Sequence, residues 1–166
     1  MERHGMKRRS QVAGLLGWGV VTFAAAAVGA WASTSAASFY ATLALPAWAP
    51  PASVFGPVWS LLYAMMAIAA WLVWRERGWR SAQPALTLYL LQLAVNALWS
   101  WLCFGWKLGA LAFVDILVLI TLVCATTVAF ARIHRGAAVM LLPYLAWISF
   151  ASALNFAVWR ANPGLL

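Results

Sequence analysis

Of the 166 residues, 66% are hydrophobic and only 8% are charged, which places the chain in the membrane class and excludes an ordinary soluble enzyme. No charged residue occurs from Ser10 to Trp74, so helices there have no polar stripe to turn to water. The net charge of +8 would suit nucleic acid, but its distribution along the chain argues against that partner.

A helical span needs about 20 apolar residues. Five stretches qualify: 11–31, 53–74, 82–104, 108–131 and 137–159. The expected fold is an all-α integral membrane protein, a five-transmembrane-helix bundle forming one membrane domain over 1–166. Span 1 follows Arg3, Lys7, Arg8 and Arg9. Ala30-Trp31-Ala32 imitates a signal-peptide cleavage site, but the apolar run exceeds a usual signal core. Span 1 is therefore expected to be retained. Ala25 and Gly29 form a small-residue pair that lets a neighbouring helix come close, although an alanine-rich span alone would also read this way.

The segment 32–52 is long for a loop between membrane helices, and such loops often carry function. Its end, Pro46-Ala47-Trp48-Ala49-Pro50-Pro51, is expected to be stiff and extended over the outer mouth of the bundle. Ser53 is the expected N-cap of span 2. Pro57 and Pro143 predict kinks in spans 2 and 5.

Arg75, Arg77 and Arg80 separate spans 2 and 3, and Arg132 and Arg135 separate spans 4 and 5. With the N-terminal four, nine of the eleven lysines and arginines lie on one side. Only Lys107 and Arg160 fall on the other. Positive charge gathers in the cytoplasm, so the N-terminus is expected there. The charge is a topology signal, and no nucleic-acid partner is expected. Cys103 and Cys124 differ in depth by roughly 20 Å, too far for a disulfide. His4 and His134 sit in polar end segments, so no metal site is expected.

Twelve tryptophans need an account. Trp31, Trp48, Trp106 and Trp159 fall near the outer boundary, and Trp71, Trp74 and Trp79 near the inner one, as interfacial tryptophans do. Trp59, Trp99 and Trp147 lie deeper. Together with Asn96, Asp115 and Asn155 they fall within roughly the outer 20 Å of the bilayer. Helical spacing groups Phe55, Trp59, Tyr63 and Met66 on span 2. It groups Gln92, Asn96 and Trp99 on span 3, and Tyr144, Trp147, Ala151 and Asn155 on span 5. Polar groups in a span usually face the interior. Two readings stand: interhelical glue, or a pocket for a large, flat, mostly apolar ligand with aromatic walls and a few orienting donors. Asp115 is either a proton or cation site or a structural hydrogen-bonding group. A pump or channel usually carries several such ionisable groups.

Pro46-Ala47-Trp48-Ala49-Pro50-Pro51 followed by Val54-Phe55-Gly56-Pro57-Val58-Trp59, Leu62-Tyr63 and Trp71-Leu72-Val73-Trp74 resembles the second-helix signature of the TspO/MBR family. This family comprises the peripheral-type benzodiazepine receptors and tryptophan-rich sensory proteins. Gln92-Leu93-Ala94-Val95-Asn96 with Trp99 and Phe104-Gly105 resembles its third helix. Val114-Asp115 and Ala125-Thr126-Thr127-Val128-Ala129 resemble its fourth. Pro143-Tyr144-Leu145-Ala146-Trp147, Phe150 and Leu154-Asn155 resemble its fifth. The similarity covers residues 38–162.

The resemblance implies a homodimer with a pocket beneath the first loop. It implies binding of tetrapyrroles (porphyrin or haem), sterols or other lipids, and benzodiazepine-type drugs. Trp59, Asn96, Trp147, Ala151, Leu154 and Asn155 match pocket positions, with Trp48 in the loop; Phe55 and Trp99 join them from the face analysis. No resident cofactor is implied, porphyrin or haem entering as ligand. Bacterial members are linked to tetrapyrrole sensing and to light-dependent porphyrin breakdown, for which the positions of Trp59 and Trp147 matter. Two positions depart from the animal pattern. A pocket tryptophan is Leu111 here, and the sterol-recognition pattern reads Leu154, Phe156 and Arg160 without its tyrosine. The short, Ala-rich chain looks bacterial, which would place it in the inner membrane. A tetrapyrrole receptor or carrier is the favoured expectation. Light-dependent degradation and sterol transport are the alternatives. No nucleophile with a partner and no acid–base pair supports hydrolysis or group transfer.

Overall fold

The computed structural model describes residues 8–166. Arg3, His4 and Lys7, together with the Arg8 side chain, lie outside the described residues. Helices carry the fold, and no strand occurs among the described residues. This suits a chain whose backbone must satisfy its own hydrogen bonds away from water. Helix α1 spans Arg8–Ala32, α2 is a short turn at Ala36–Tyr40, and α3 runs Phe55–Ser100 after a 3-10 turn at Ala52–Val54. A π-helical turn at Trp101–Gly105 leads to α4, Gly109–Ala131, and α5, Arg135–Ala161. Among the described residues, four helices are long and apolar enough to cross a membrane.

The count differs from the expected five because spans 2 and 3 are joined. The segment 75–81 was expected as a linker, yet it continues the helix except at Gly78, where φ is 69° and ψ 174°. Arg, Glu, Trp and Ser are all tolerated in helices, so nothing but the glycine interrupts this run. A straight helix of 46 residues would be about 69 Å long, twice a bilayer core. Instead α3 doubles back: the Tyr63 hydroxyl donates to Asn96 Oδ1, 33 residues away. Its arms, 55–77 and 79–100, therefore lie side by side.

Other local expectations also change. Ser53 lies inside the 3-10 turn and does not cap α3, whose N-cap Val54 has no side-chain hydrogen bond. Pro57 falls in the first turn of α3, where its missing N–H has no intrahelical partner to lose, so the expected cause of a kink is removed. Pro143 does lie within α5. At the N-terminus of that helix, His134 Nδ1 accepts from the Ala137 N–H at 3.1 Å and acts as the cap.

Helix α1 packs where its residues are small. A Cβ on Gly29 would meet Ser100 Oγ at 3.1 Å and the Ala97 backbone at 3.8 Å, the close approach expected of the Ala25/Gly29 pair. Thr22 and Tyr89 share a buried hydrogen bond of 2.6 Å. Trp71 Nε1 donates to the Gln11 carbonyl at 2.9 Å. The closed core lies between the arms of α3, α4 and α5, around Met66, Val73, Leu86, Ile116, Tyr144 and Ile148. Large apolar residues left exposed on α1 and α4, such as Leu16, Val20, Val114 and Val118, match a lipid environment rather than water. Cys103 and Cys124 are free thiols.

The 32–52 segment contains α2, and its end, expected to be extended over 46–51, is broken by a turn at Ala47-Trp48 in which the Ala49 N–H donates to the Pro46 carbonyl at 2.9 Å. It is pinned at two points. Tyr40 donates to the Pro50 carbonyl at 3.0 Å. Asn162, at the C-terminal end of α5, accepts from the Ala44 N–H at 2.8 Å and donates to the Ala44 carbonyl at 3.0 Å.

Candidate functional site

Beneath this pinned segment is a cavity of about 610 Å³, within the size range of small-molecule sites. Its walls come from α1, α2, both arms of α3, the π-helical turn and α5, with Leu166 at one edge. Among the described residues, no charged side chain lines it. The indoles of Trp59, Trp99 and Trp147 come from three different helical segments, and Phe55, Phe39 and Phe104 extend the aromatic surface.

The aromatic wall is braced. The Phe55 ring stands edge-on to Trp147, with centroids 5.9 Å apart, and to Tyr40 at 5.6 Å. Trp59 leans on Tyr63 at 5.6 Å and on Tyr144 at 6.2 Å. Tilted and edge-to-face arrangements of this kind are the favoured ones for aromatic quadrupoles. Each ring is thus held at an angle by its neighbours and leaves surface for a ligand.

Below the wall runs a buried hydrogen-bond chain. Tyr63 donates to Asn96 Oδ1. Asn96 Nδ2 donates to the Tyr144 hydroxyl at 3.0 Å, and Tyr144 donates to Gln92 Oε1 at 3.0 Å. Asn96 therefore ties α3 to α5 and also lines the cavity. Its orientation is fixed because one end accepts and the other donates. Higher up, Trp99 Nε1 donates to Asn155 Oδ1 and Asn155 Nδ2 to the Gly109 carbonyl, both at a long 3.5 Å. Trp147 lines the cavity, while its Nε1 is buried with no hydrogen-bond partner among the described residues. At the loop, partial burial pushes the Tyr40 phenol above its ordinary pKa. It stays protonated and keeps donating to Pro50.

The cavity brings together Phe55, Trp59, Asn96, Trp99, Trp147, Ala151, Leu154 and Asn155. Trp48 is not among the lining residues. Its indole is half exposed and packs against Phe150 at 5.8 Å. Helix α4 lines none of the cavity. Asp115 is accordingly apart from it, buried in the bundle with Oδ2 unpartnered. Leu111 is exposed. Of the sterol-pattern residues only Leu154 reaches the cavity; Phe156 packs on Phe113 and Trp159, and Arg160 is exposed.

Sequence reasoning missed the contribution of α1. Phe23, Ala26, Ala27 and Ala30 line one side. The signal was the small-residue run from Ala24 to Ala27, which makes room beside a helix. It also missed Asn162, whose side chain holds the loop.

Comparison with known proteins follows the same lines. The model of the TspO/MBR family matches residues 18–160. The chain is 44% identical to the translocator protein of Homo sapiens over 128 residues, 76% of each chain. It is 39% identical to the tryptophan-rich protein TspO of Chlorobaculum tepidum over 127 residues, 75% of this chain and 80% of the relative. It is 38% identical to the tryptophan-rich sensory protein of Cereibacter sphaeroides over 149 residues, 87% of this chain and 92% of the relative.

Proposed function

Because the chain belongs to the TspO/MBR family, we propose that it is a membrane receptor or carrier for flat, aromatic, largely apolar ligands. Porphyrin or haem is the foremost class, with benzodiazepine-type compounds as further occupants and a tetrapyrrole-sensing or regulatory role. The observation that carries this reading is the uncharged 610 Å³ cavity with Trp59, Trp99 and Trp147 on its walls. Indole faces supply stacking surface. Asn96 and Asn155 supply the few polar contacts that orient a bound ring.

In this reading the whole chain is one membrane domain, and each arm of α3 crosses the bilayer once, for five crossings in all. The N-terminus is cytoplasmic by the charge rule, the host membrane is the bacterial inner membrane, and the protein is a homodimer.

A second reading, light-dependent porphyrin degradation, is favoured by one feature: Trp59 and Trp147 line the same cavity, so both indoles would lie beside a bound sensitiser. Sterol transport has less support, since Phe156 and Arg160 lie away from the cavity wall.

The test is protoporphyrin IX titrated into the purified protein, followed by Trp fluorescence and absorbance in dark and light, with Trp59→Phe and Trp147→Phe alongside. Saturable quenching in the dark that weakens in both variants supports the receptor reading. Light-dependent loss of the porphyrin spectrum that both variants abolish moves the assignment to the second reading. Quenching that never saturates refutes tetrapyrrole binding.

A further inference from the structure

The cavity is open on one side. Ala27 and Ala30 of α1 and Gly56 and Ser60 of α3 line it, yet all four are exposed at the bundle surface. The packing of α1 explains this opening. Its outer half is held by the second arm of α3, through Gly29 against Ser100, and by the π-helical turn that follows, through Trp101 Nε1 donating to the Val28 carbonyl at 3.2 Å. Its inner end is held by the first arm, through Trp71 to Gln11 and through Trp74, whose ring fills the space beside Gly14. Toward the outer side α1 therefore leans on the second arm and away from the first.

A second, shallower space of about 430 Å³ begins where this opening ends. Leu16, Gly19 and Val20 of α1 and Ala64, Ala67 and Ile68 of α3 form its walls. Phe23 lines both spaces. Its ring is half exposed and sits 6.4 Å from Tyr63. One aromatic side chain thus divides a wide aromatic chamber from a narrow aliphatic groove that continues toward the middle of α1.

We propose that the ligand of this protein is an amphiphile of two parts, a flat ring system in the cavity and a linear aliphatic tail laid past Phe23 into the groove between α1 and the first arm of α3. This rests on the ring-binding reading above and adds to it the class of substituent. The shapes decide it. The groove is lined by aliphatic and small residues and is too shallow to enclose a ring, whereas an alkyl or isoprenoid chain fits along it. A Cβ built on Gly19 meets nothing within 4 Å, so the groove floor is empty. Because lipid tails are as apolar as the groove, transfer alone contributes little, and the gain comes from packing contacts. A tail tethered to a bound ring reaches the groove at a high effective concentration, which free lipid does not.

The experiment compares pheophorbide a methyl ester with pheophytin a, the phytyl ester of the same ring. Both are titrated into the full chain in phosphatidylcholine nanodiscs and followed by quenching of Trp fluorescence. Pheophytin a is expected to bind about tenfold more tightly, an ordinary effect for one well-packed contact set. Gly19→Leu, which puts a branched side chain where a Cβ meets nothing within 4 Å, is expected to abolish that preference and leave the methyl ester unchanged. Ala64→Leu gives the same result from the opposite wall. Equal affinity of the two esters, or a preference that survives both variants, assigns the groove to bilayer lipid and overturns the proposal while leaving the ring site standing. Failure of both esters to bind overturns the ring reading as well.

Discussion

Replacing Asn96 by Leu perturbs the hydrogen-bond chain at its centre. The substitution removes the acceptor of the Tyr63 hydroxyl and the donor to Tyr144, and both hydroxyls belong to buried residues. An interhelical hydrogen bond in a membrane protein is worth about 0.6 kcal/mol on average and about 1.7 at most. A buried hydroxyl left unmet adds a desolvation cost of about 1–3 kcal/mol where no other partner is found. Two lost bonds thus place Asn96→Leu about 1–3 kcal/mol below the wild type.

The diagnostic is non-additivity. With Tyr63→Phe and Tyr144→Phe already present, no hydroxyl remains to be stranded, and apolar groups of similar shape can substitute at little cost. Asn96→Leu is then expected to cost less than half as much. Equilibrium unfolding in mixed detergent–SDS micelles gives the four free energies of the cycle. Equal costs of Asn96→Leu in the two backgrounds would refute the chain as an energetic unit and leave Asn96 as an ordinary packing residue.

Three further outcomes follow from other positions. Gly78 holds φ 69° and ψ 174°, a region essentially reserved for glycine, so Gly78→Ala should destabilise the bundle by about 1–3 kcal/mol; an unchanged melting temperature would contradict this. A Cβ at Gly14 would fall 2.1 Å from the Trp74 ring, so Gly14→Ala should cost about 1–3 kcal/mol by overpacking, and Gly14→Ala with Trp74→Leu should recover part of it. Asn162→Ala removes both bonds to Ala44. It should raise the rate of limited proteolysis within 33–51 severalfold and speed porphyrin dissociation, whereas unchanged cleavage would show that the loop is held elsewhere.

Much of the bundle was legible because lipid imposes a simple rule on sequence: long apolar runs become helices, and rare polar residues point inward. Asn96, Trp99, Trp147 and Asn155 stand out that way, and all four line one cavity. The same rule hides the rest. In a lipid-facing helix both faces are apolar, so hydropathy cannot say which side of α1 meets the cavity, or that α4 stays apart from it. Asp115 satisfied the depth estimate and still lies outside the site, because depth fixes the level in the membrane and not the rotation about the helix axis. Gly78 was invisible for a different reason. A charged run between two spans reads as a loop, yet its residues can form helix, and a single glycine supplies the whole bend. The Asn162–Ala44 pair joins positions 118 residues apart, and no local pattern announces it.

The account turns on the cavity being the porphyrin site, and Gly56 offers the most direct measurement. Gly56 lines the cavity, and a Cβ there meets nothing within 4 Å. Gly56→Trp therefore adds an indole to the cavity wall at a position where the first side-chain carbon has open space. The decisive experiment is a dark protoporphyrin IX binding isotherm on Gly56→Trp beside the wild type, with the melting temperature of each. The account predicts affinity reduced by about tenfold or more, roughly 1.4 kcal/mol, with the fold's stability unchanged. An undiminished isotherm on a folded variant would contradict it and place the porphyrin elsewhere on the protein.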